Sequence, residues 1–206
     1  MARLSTVRGK IVRRLGVNIF GNPKYDKLLK RKPQPPGDTH RKMRRRRQSE
    51  YGLQLIEKQK LKFCYGLSEK QFRNLFYKAK KMKGITGDNI ITLLEQRLDN
   101  VVYRAGMAVS RRQARQLVTH GQLFLNDRRV DIPSITVRMG DVIKVRDRKK
   151  VTDLFRRIIG ENSGAVMPSW LDVSFDQLQI KISGLPDRKE VPTIAEEQLI
   201  IEYYSR

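Results

Sequence analysis

Between Leu94 and Asp131 the chain carries a close series of helix stop and start signals that leaves little choice of local structure. Apolar residues at Ile91, Leu94, Leu98, Val101 and Ala105 recur at the helical period, and Gly106 follows as a residue able to turn left-handed after a last turn. The spacing predicts one long helix, introduced by a turn and cap at Gly87-Asp88, with its apolar face in a core. Ser110 then stands as N-cap of a second helix, with Gln113 completing a capping box. Ala114, Leu117 and Val118 continue inward until Gly121 ends it. Leu123–Leu125, a turn at Asn126-Asp127 and residues 129–131 read as a tight hairpin with Arg128 at its tip.

The opposite face of the second helix carries Arg111, Arg112 and Arg115. A helix N-terminus presents unpaired N–H groups and partial positive charge, so Ser110, Arg111 and Arg112 form a phosphate site, with Arg115 and Gln116 one turn further on. In an ordinary protein such a run is a solvated face. The charge of this chain argues for more. It has 44 Lys and Arg against 21 Asp and Glu, a net charge of +23, which repels itself in isolation and suits a polyanionic partner. The excess is uneven: residues 1–50 carry 16 basic and 3 acidic side chains, whereas residues 151–206 carry 6 and 9.

Cys64 is the single cysteine and His40 and His120 the two histidines, so neither an internal disulfide nor a zinc set is available, and a reducing compartment is expected. No apolar run approaches the length of a membrane span. The basic start lacks a hydrophobic signal core.

Residues 1–43 have little periodicity, repeated breakers (Gly16, Gly21, Pro23, Pro33, Pro35, Pro36, Gly37) and dense positive charge. They are expected to form a basic extended arm that orders against nucleic acid instead of folding by itself. Arg44, Arg45, Arg46 and Arg47 lead into the first ordered helix and are expected to contact phosphate. In that helix Leu53, Ile56 and Phe63 are read as inward and Lys58, Lys60 and Lys62 as outward, with Lys58 and Lys62 added to the phosphate contacts. Ser68 and Gln71 form the next capping box, followed by a stripe of Phe72, Leu75, Phe76, Ala79 and Met82 that Gly84 closes. Its Phe residues read as core, not base-stacking platforms, and Arg73 as a contact.

After the hairpin, Pro133, Ile135, Val137 and residues 142–145 suggest short strands that complete a small antiparallel sheet packed on two helices. Leu154, Phe155, Ile158 and Ile159 share one face of a helix expected to break at Gly160. MPSWLDV and QIKIS read as further strands, with Trp170 as a plug. Thr193 and Glu196 suggest a last capping box, opening a short amphipathic helix that needs a partner to cover Leu199, Ile200 and Tyr203.

The segment LDNVVYRAGMAVSRRQARQLVTHGQLFLNDRRVDIPS, the segment YGLQLIEKQKLKFCYGLSEKQFRN and the start MARL resemble the small-subunit ribosomal S-four family, and the first resembles the S-four RNA-binding domain itself. The resemblance runs from Met1 to Arg206 and is strongest from Tyr51 to Ser134. It implies an α+β protein: a mostly helical N-terminal domain with a basic arm, and an inserted S-four-type domain of helices on a small antiparallel sheet. The expected boundaries are an arm at 1–43, a helical domain at 44–93 completed by 193–206, and the S-four domain with its sheet extension at 94–192, its core motif at 94–157. RNA contact is implied at Arg97, Arg104, Ser110, Arg111, Arg115, Gln116, His120 and Asn126. Leu98 and Asp99 are read as structural, Asp99 facing Arg97 or Arg104. Asp127 departs from the family, where Gly is common at this turn. Many bacterial members also hold zinc with cysteines in the arm, and this chain lacks those cysteines.

The family implies a primary small-subunit ribosomal RNA-binding protein that joins assembly early and holds a junction in the five-prime domain. It implies neighbouring ribosomal proteins and messenger RNA, where it enters the subunit, as further partners, and some relatives repress their own messenger. No cofactor and no membrane are expected, and outside the ribosome a monomer is. The compartment implied is the cytoplasmic ribosome, or that of a plastid. Two other classes fit the residues less well. Enzymes that carry the same domain, such as pseudouridine synthases, add a catalytic domain, and nothing here supplies a phosphate loop, a nucleophile with its base or a metal cluster. A nonspecific DNA-compacting protein would lack the capped, structured middle.

Overall fold

The computed structural model describes residues 7–37, 49–162, 166–192 and 194–205. Among them are nine α-helices, five strands and one 3-10 helix, in two compact units: Met1–Tyr77 with Thr193–Arg206, and Lys78–Pro192.

The first unit is helical. Residues 7–37 are not the extended arm expected from the sequence but two helices, α1 (Arg8–Leu15) and α2 (Pro23–Arg31). The breakers turn out to be caps. Gly16 takes φ +71 to close α1, and Asn22 Oδ1 accepts the Lys24 N–H at 2.9 Å ahead of Pro23 at the first turn of α2. Ile11, Val12, Leu15 and Ile19 bury enough apolar surface to hold the segment, while Arg13 donates to the carbonyls of Gln34 and Pro35 at 2.9 and 3.2 Å. Residues 38–48, and with them Arg44 to Arg47, lie outside the described residues.

Helix α3 (Glu50–Cys64) is capped by Ser49, and α4 (Glu69–Lys80) opens on the expected box: Ser68 Oγ accepts from Gln71 N, and Gln71 Oε1 from Ser68 N. Phe72, Phe76 and Ala79 are buried as the periodicity predicts, whereas Met82, beyond the end of α4, is exposed. On α3 Phe63 is buried as expected, but the rest of the inward ridge differs from expectation. It runs through Gln54, Lys58, Leu61 and Tyr65, and Leu53 faces out. Helix α9 (Glu197–Ser205) covers that ridge. Tyr204 stacks on Phe76 with ring centroids 4.6 Å apart, and Gln54 donates to Glu202 at 3.1 Å. The expected cap Thr193 lies outside the described residues. Since α9 begins at Glu197, Glu196 precedes the helix and donates its N–H to Glu57.

The second unit packs helices on a sheet. The long helix predicted through Leu94 is two helices, α5 (Thr86–Glu95) and α6 (Leu98–Arg104). Gly87 is inside α5 and buried, not a turn before it. The helix breaks because residues 133–137 supply outside partners: Leu98 and Asp99 donate to the carbonyls of Ile135 and Pro133, Val137 donates to Gln96, and Arg97 bridges Thr136. The first N–H groups of α6 are satisfied there, so residues 133–137 form a clasp instead of the strand expected. Helix α7 (Arg111–Thr119) leads to β1 (Leu123–Leu125) and β2 (Arg128–Val130); β3 (Val142–Val145), α8 (Lys149–Glu161), β4 (Leu171–Ser174) and β5 (Gln179–Ile182) follow, then the 3-10 turn Arg188–Glu190. Helix α8 runs through Gly160 without breaking.

The strands form one sheet in the order β2-β1-β3-β5-β4, and every pair is antiparallel. Leu98, Val101, Leu117, Val118, Leu123, Ile143, Phe155, Ile158, Trp170, Ile180 and Ile182 meet in a single core. Each fully buried side chain of this size contributes roughly 1.5–3 kcal/mol, and together they hold α6 and α7 in place on the sheet.

Candidate RNA-binding interface

The arginines near α6 and α7 are organised from below by two carboxylates. Glu95, the last residue of α5, is 0% exposed and Asp99, in the first turn of α6, is 3%. A buried charge is costly unless paired and hydrogen-bonded, and each of these meets two arginines. Glu95 accepts from Arg104 Nε and Nη2 at 2.8 and 2.9 Å, and Arg111 Nη2 lies 4.0 Å away. Asp99 accepts from Arg97 Nε and Nη2 at 3.1 and 3.0 Å, and from Arg115 Nε and Nη2 at 2.7 and 2.6 Å. Asn100, also buried, completes the Glu95 set. Its Nδ2 donates to Glu95 Oε2 at 2.9 Å and its Oδ1 accepts from Arg111 Nε at 2.8 Å. Arg111 in turn lies over the Tyr103 ring, 4.6 Å from its centroid. Four guanidiniums against two carboxylates leave the cluster positive.

Helix α7 carries two parallel ridges at four-residue spacing. Arg111 and Arg115 make the inner one, half-buried on the carboxylates; Arg112, Gln116 and His120 make the outer one and are exposed. Ser110 caps the helix by accepting from Gln113 N at 3.3 Å, and Gln113 Oε1 accepts from Val109 N, one residue before the position a standard box uses. Phosphate approaching Arg112 therefore meets this helix N-terminus as well.

The hairpin is tighter than predicted. Leu125 pairs with Arg128, so the turn is only Asn126-Asp127, and Arg128 begins β2 instead of standing at the tip. Both turn residues are left-handed, φ +48 and +62, the conformation a two-residue type I′ turn requires; Asp127 tolerates what the family more often gives to Gly. Asn126 serves the fold: Nδ2 donates to Asp141 Oδ1 at 2.8 Å and Oδ1 accepts from Val142 N at 2.9 Å, tying the turn to β3. Arg129, absent from the expected set, donates to the Gly121 carbonyl at the end of α7. Gly121 has φ +61, which strains any L side chain, and a Cβ there would also displace the Arg129 guanidinium, whose Nε lies 2.5 Å away.

Several expected contacts fall inside the protein. Lys58, expected on the outward face, is instead 3% exposed, with its Nζ 2.8 Å from Glu69 Oε1 and over the Tyr203 ring at 4.3 Å. Lys62 is directed to Glu69 Oε2 at 2.9 Å. Burial works to raise the Glu69 carboxyl, but hydrogen bonds from Lys58, Lys62 and Tyr204 outweigh it and hold its pKa at about 2. Arg97 is 8% exposed and paired with Asp99, unlike the more exposed Arg112; Asp99 faces Arg97 and Arg115, while Arg104 turns to Glu95. Arg73 is exposed on α4, with its guanidinium over Tyr77. Glu95 is an organiser that the sequence reading misses. Its signal is a carboxylate on the apolar stripe between Ile91 and Leu98.

No described helix is long and apolar enough to cross a membrane. Residues 3–95 match the family described as Ribosomal protein S4/S9 N-terminal domain, and residues 96–143 match the S4 domain. The chain is similar to the small ribosomal subunit protein uS4 of Borrelia hermsii, with 54% identity over 207 residues that cover 100% of this chain and 99% of that one. It is similar to uS4 of Treponema denticola at 50% identity over 199 residues, covering 97% of this chain and 96% of the other. The capped, arginine-bearing α7 and its hairpin fall within the S4 match, the helices α1 to α5 within the N-terminal one, and the chain belongs to the uS4 family of small-subunit ribosomal proteins.

Proposed function

We propose that this chain is a structural, non-enzymatic constituent of the small ribosomal subunit that binds ribosomal RNA through the α6–α7 face and the neighbouring hairpin. One observation carries the reading: several arginines are fixed on two buried carboxylates beside a capped helix N-terminus, with the exposed ridge of Arg112, Gln116 and His120 next to them. Such a surface favours phosphates at set spacing. Binding is then driven by counterion release and selected by the shape of a folded RNA, with few base-edge contacts needed.

Arg112, Gln116, His120 and Arg128 form the outer contacts in this reading; Ser110, Arg104, Arg111 and Arg115 form the inner ones. Arg73 adds a basic group from the helical unit, and Arg44 to Arg47 are further phosphate contacts in this reading. The residue range 94–192 acts as the RNA-binding module. Family membership supports a more specific place: early assembly of the five-prime domain, a position beside the path by which messenger RNA enters, contact with neighbouring ribosomal proteins, and in some members repression of the messenger. The bacterial relatives support a cytoplasmic ribosome, and the same reading takes the protein as a monomer before incorporation.

The test is a salt titration of binding to the five-prime domain of small-subunit ribosomal RNA, beside an unrelated folded RNA of equal length and a DNA duplex. A large advantage for the ribosomal RNA at physiological salt is expected. Arg112→Ala with Arg128→Ala should lower the logarithmic salt slope by about one for each phosphate no longer neutralised. Equal affinity for all three targets would reduce the protein to a nonspecific nucleic-acid binder and sink the assignment.

A further inference from the structure

We infer that Glu95 and Asp99 are positioning residues for RNA recognition: buried carboxylates that fix Arg104, Arg111 and Arg115 before binding, giving up general attraction for polyanions in favour of fit to one folded RNA. This rests on the reading of the α6–α7 face as an RNA interface. On charge alone an acid behind such a face is a defect. A unit negative charge about 8 Å from a solvated phosphate weakens binding about two- to threefold at a dielectric close to that of bulk water, and more where water is excluded.

The geometry supplies what offsets that loss. Glu95 and Asp99 gather arginines from α6 and from α7, so each carboxylate sets the position of one helix's cation relative to the other's. Arg97, at 10% side-chain exposure, closes the Asp99 site from within, whereas the side chains of Arg104, Arg111 and Arg115 reach the surface at 18, 16 and 27%. Asn100 extends the control to Arg111 through a neutral relay, accepting Nε at 2.8 Å while donating to Glu95. An arginine fork held along one edge by a carboxylate can offer another edge to phosphate. Rotamer freedom already spent in folding does not have to be given up again on binding, which is worth about two- to tenfold in affinity for each long side chain so ordered. Nonspecific polyanions, which need no set spacing, gain little from this order and still meet the two negative charges.

The two effects have opposite signs, and the experiment reads the sign. In Asp99→Asn and Glu95→Gln the affinity for the ribosomal five-prime domain should fall by about tenfold or more, while that for the control RNA and the DNA duplex rises by about two- to threefold. If the variants instead bind every target more tightly, the carboxylates merely subtract charge and the inference fails. Absence of any preference in the unaltered protein would strike the underlying reading first. A variant can lose its fold, so the unaltered full chain supplies the independent measurement. The arginine Nε–Hε resonances of Arg104, Arg111 and Arg115 should be dispersed and slow to exchange with water in the RNA-free protein, in contrast to those of Arg112 and Arg128. Exchange as fast at all five would overturn the proposal.

Discussion

Two clusters in this protein bring basic side chains onto a carboxylate, and they end in opposite places. At the α3–α4–α9 contact, Lys58 and Lys62 converge on Glu69, with Lys58 sealed beneath Tyr203. At α5–α7, four arginines converge on Glu95 and Asp99, and three of them remain in reach of the surface. Here the acids are deep and the cations lie above them. In the lysine cluster the order is inverted, because the Glu69 side chain is 47% exposed and that of Lys58 only 4%. A lysine ammonium is one point charge on a flexible stem and is readily neutralised where the stem packs; a planar guanidinium can be gripped and presented at once. Net charge therefore overstates the surface available to a polyanion in the first cluster, and in the second it understates how ordered that surface is.

The comparison breaks most visibly at Asp99. Asp99→Ala leaves Arg97 buried without its partner and should cost about 3–5 kcal/mol, read as a lower denaturant midpoint for the intact chain. A loss under about 1 kcal/mol would mean that the arginines hold each other in place without the acid. At Glu69 the expected effect is smaller and depends on pH. Its folded pKa of about 2 lies below the ordinary value of 4.5, so the unfolded chain binds the proton more readily. Its stabilising contribution is complete above about pH 4.5 and drains away as pH falls toward 2. Glu69→Gln should cost about 1–2 kcal/mol at neutral pH, discounted because the carboxylate is nearly half exposed, and should flatten that part of the acid limb in circular dichroism. An unchanged acid limb would show that Glu69 holds no special proton affinity. The smallest effect is expected at Lys58→Met, where an apolar side chain of similar length keeps the packing and Glu69 keeps Lys62 and Tyr204. Stability should move by less than about 1 kcal/mol and RNA affinity not at all. A weakened salt slope would return Lys58 to the interface.

What could be read in the sequence follows the same divide. Phe72, Phe76 and Ala79, the capping residues Ser68 and Ser110, and the Asn126-Asp127 turn each act through local backbone chemistry or a plain apolar period, and they appear where expected. Gln54 and Lys58 point inward on α3 although both are polar, because α9, far along the chain, brings Glu202 and the tyrosines to meet them. The break at Gln96-Arg97 is hidden for a related reason: the apolar stripe continues across it, while the groups that end the helix come from residues 133–137. Positive charge locates the candidate face, but only the folded chain separates Arg97 and Lys58 from Arg112 and Arg128. The helices of the arm are obscured by their own caps, since glycine and proline mark a helix end as readily as a segment without helix.

The seat of α9 on α3 and α4 also sets a timetable. Glu69 and Tyr204, hydrogen-bonded at 3.0 Å, are separated by 135 residues. At translation rates of about 5–20 residues per second, α4 waits roughly 7 to 27 seconds for the ring that completes its core. All of residues 78–192 is synthesised within that interval. The sheet unit can thus be finished, arginines in place, while the helical unit is still open, so the nascent chain passes through a stage in which the α6–α7 face is built before the protein that carries it.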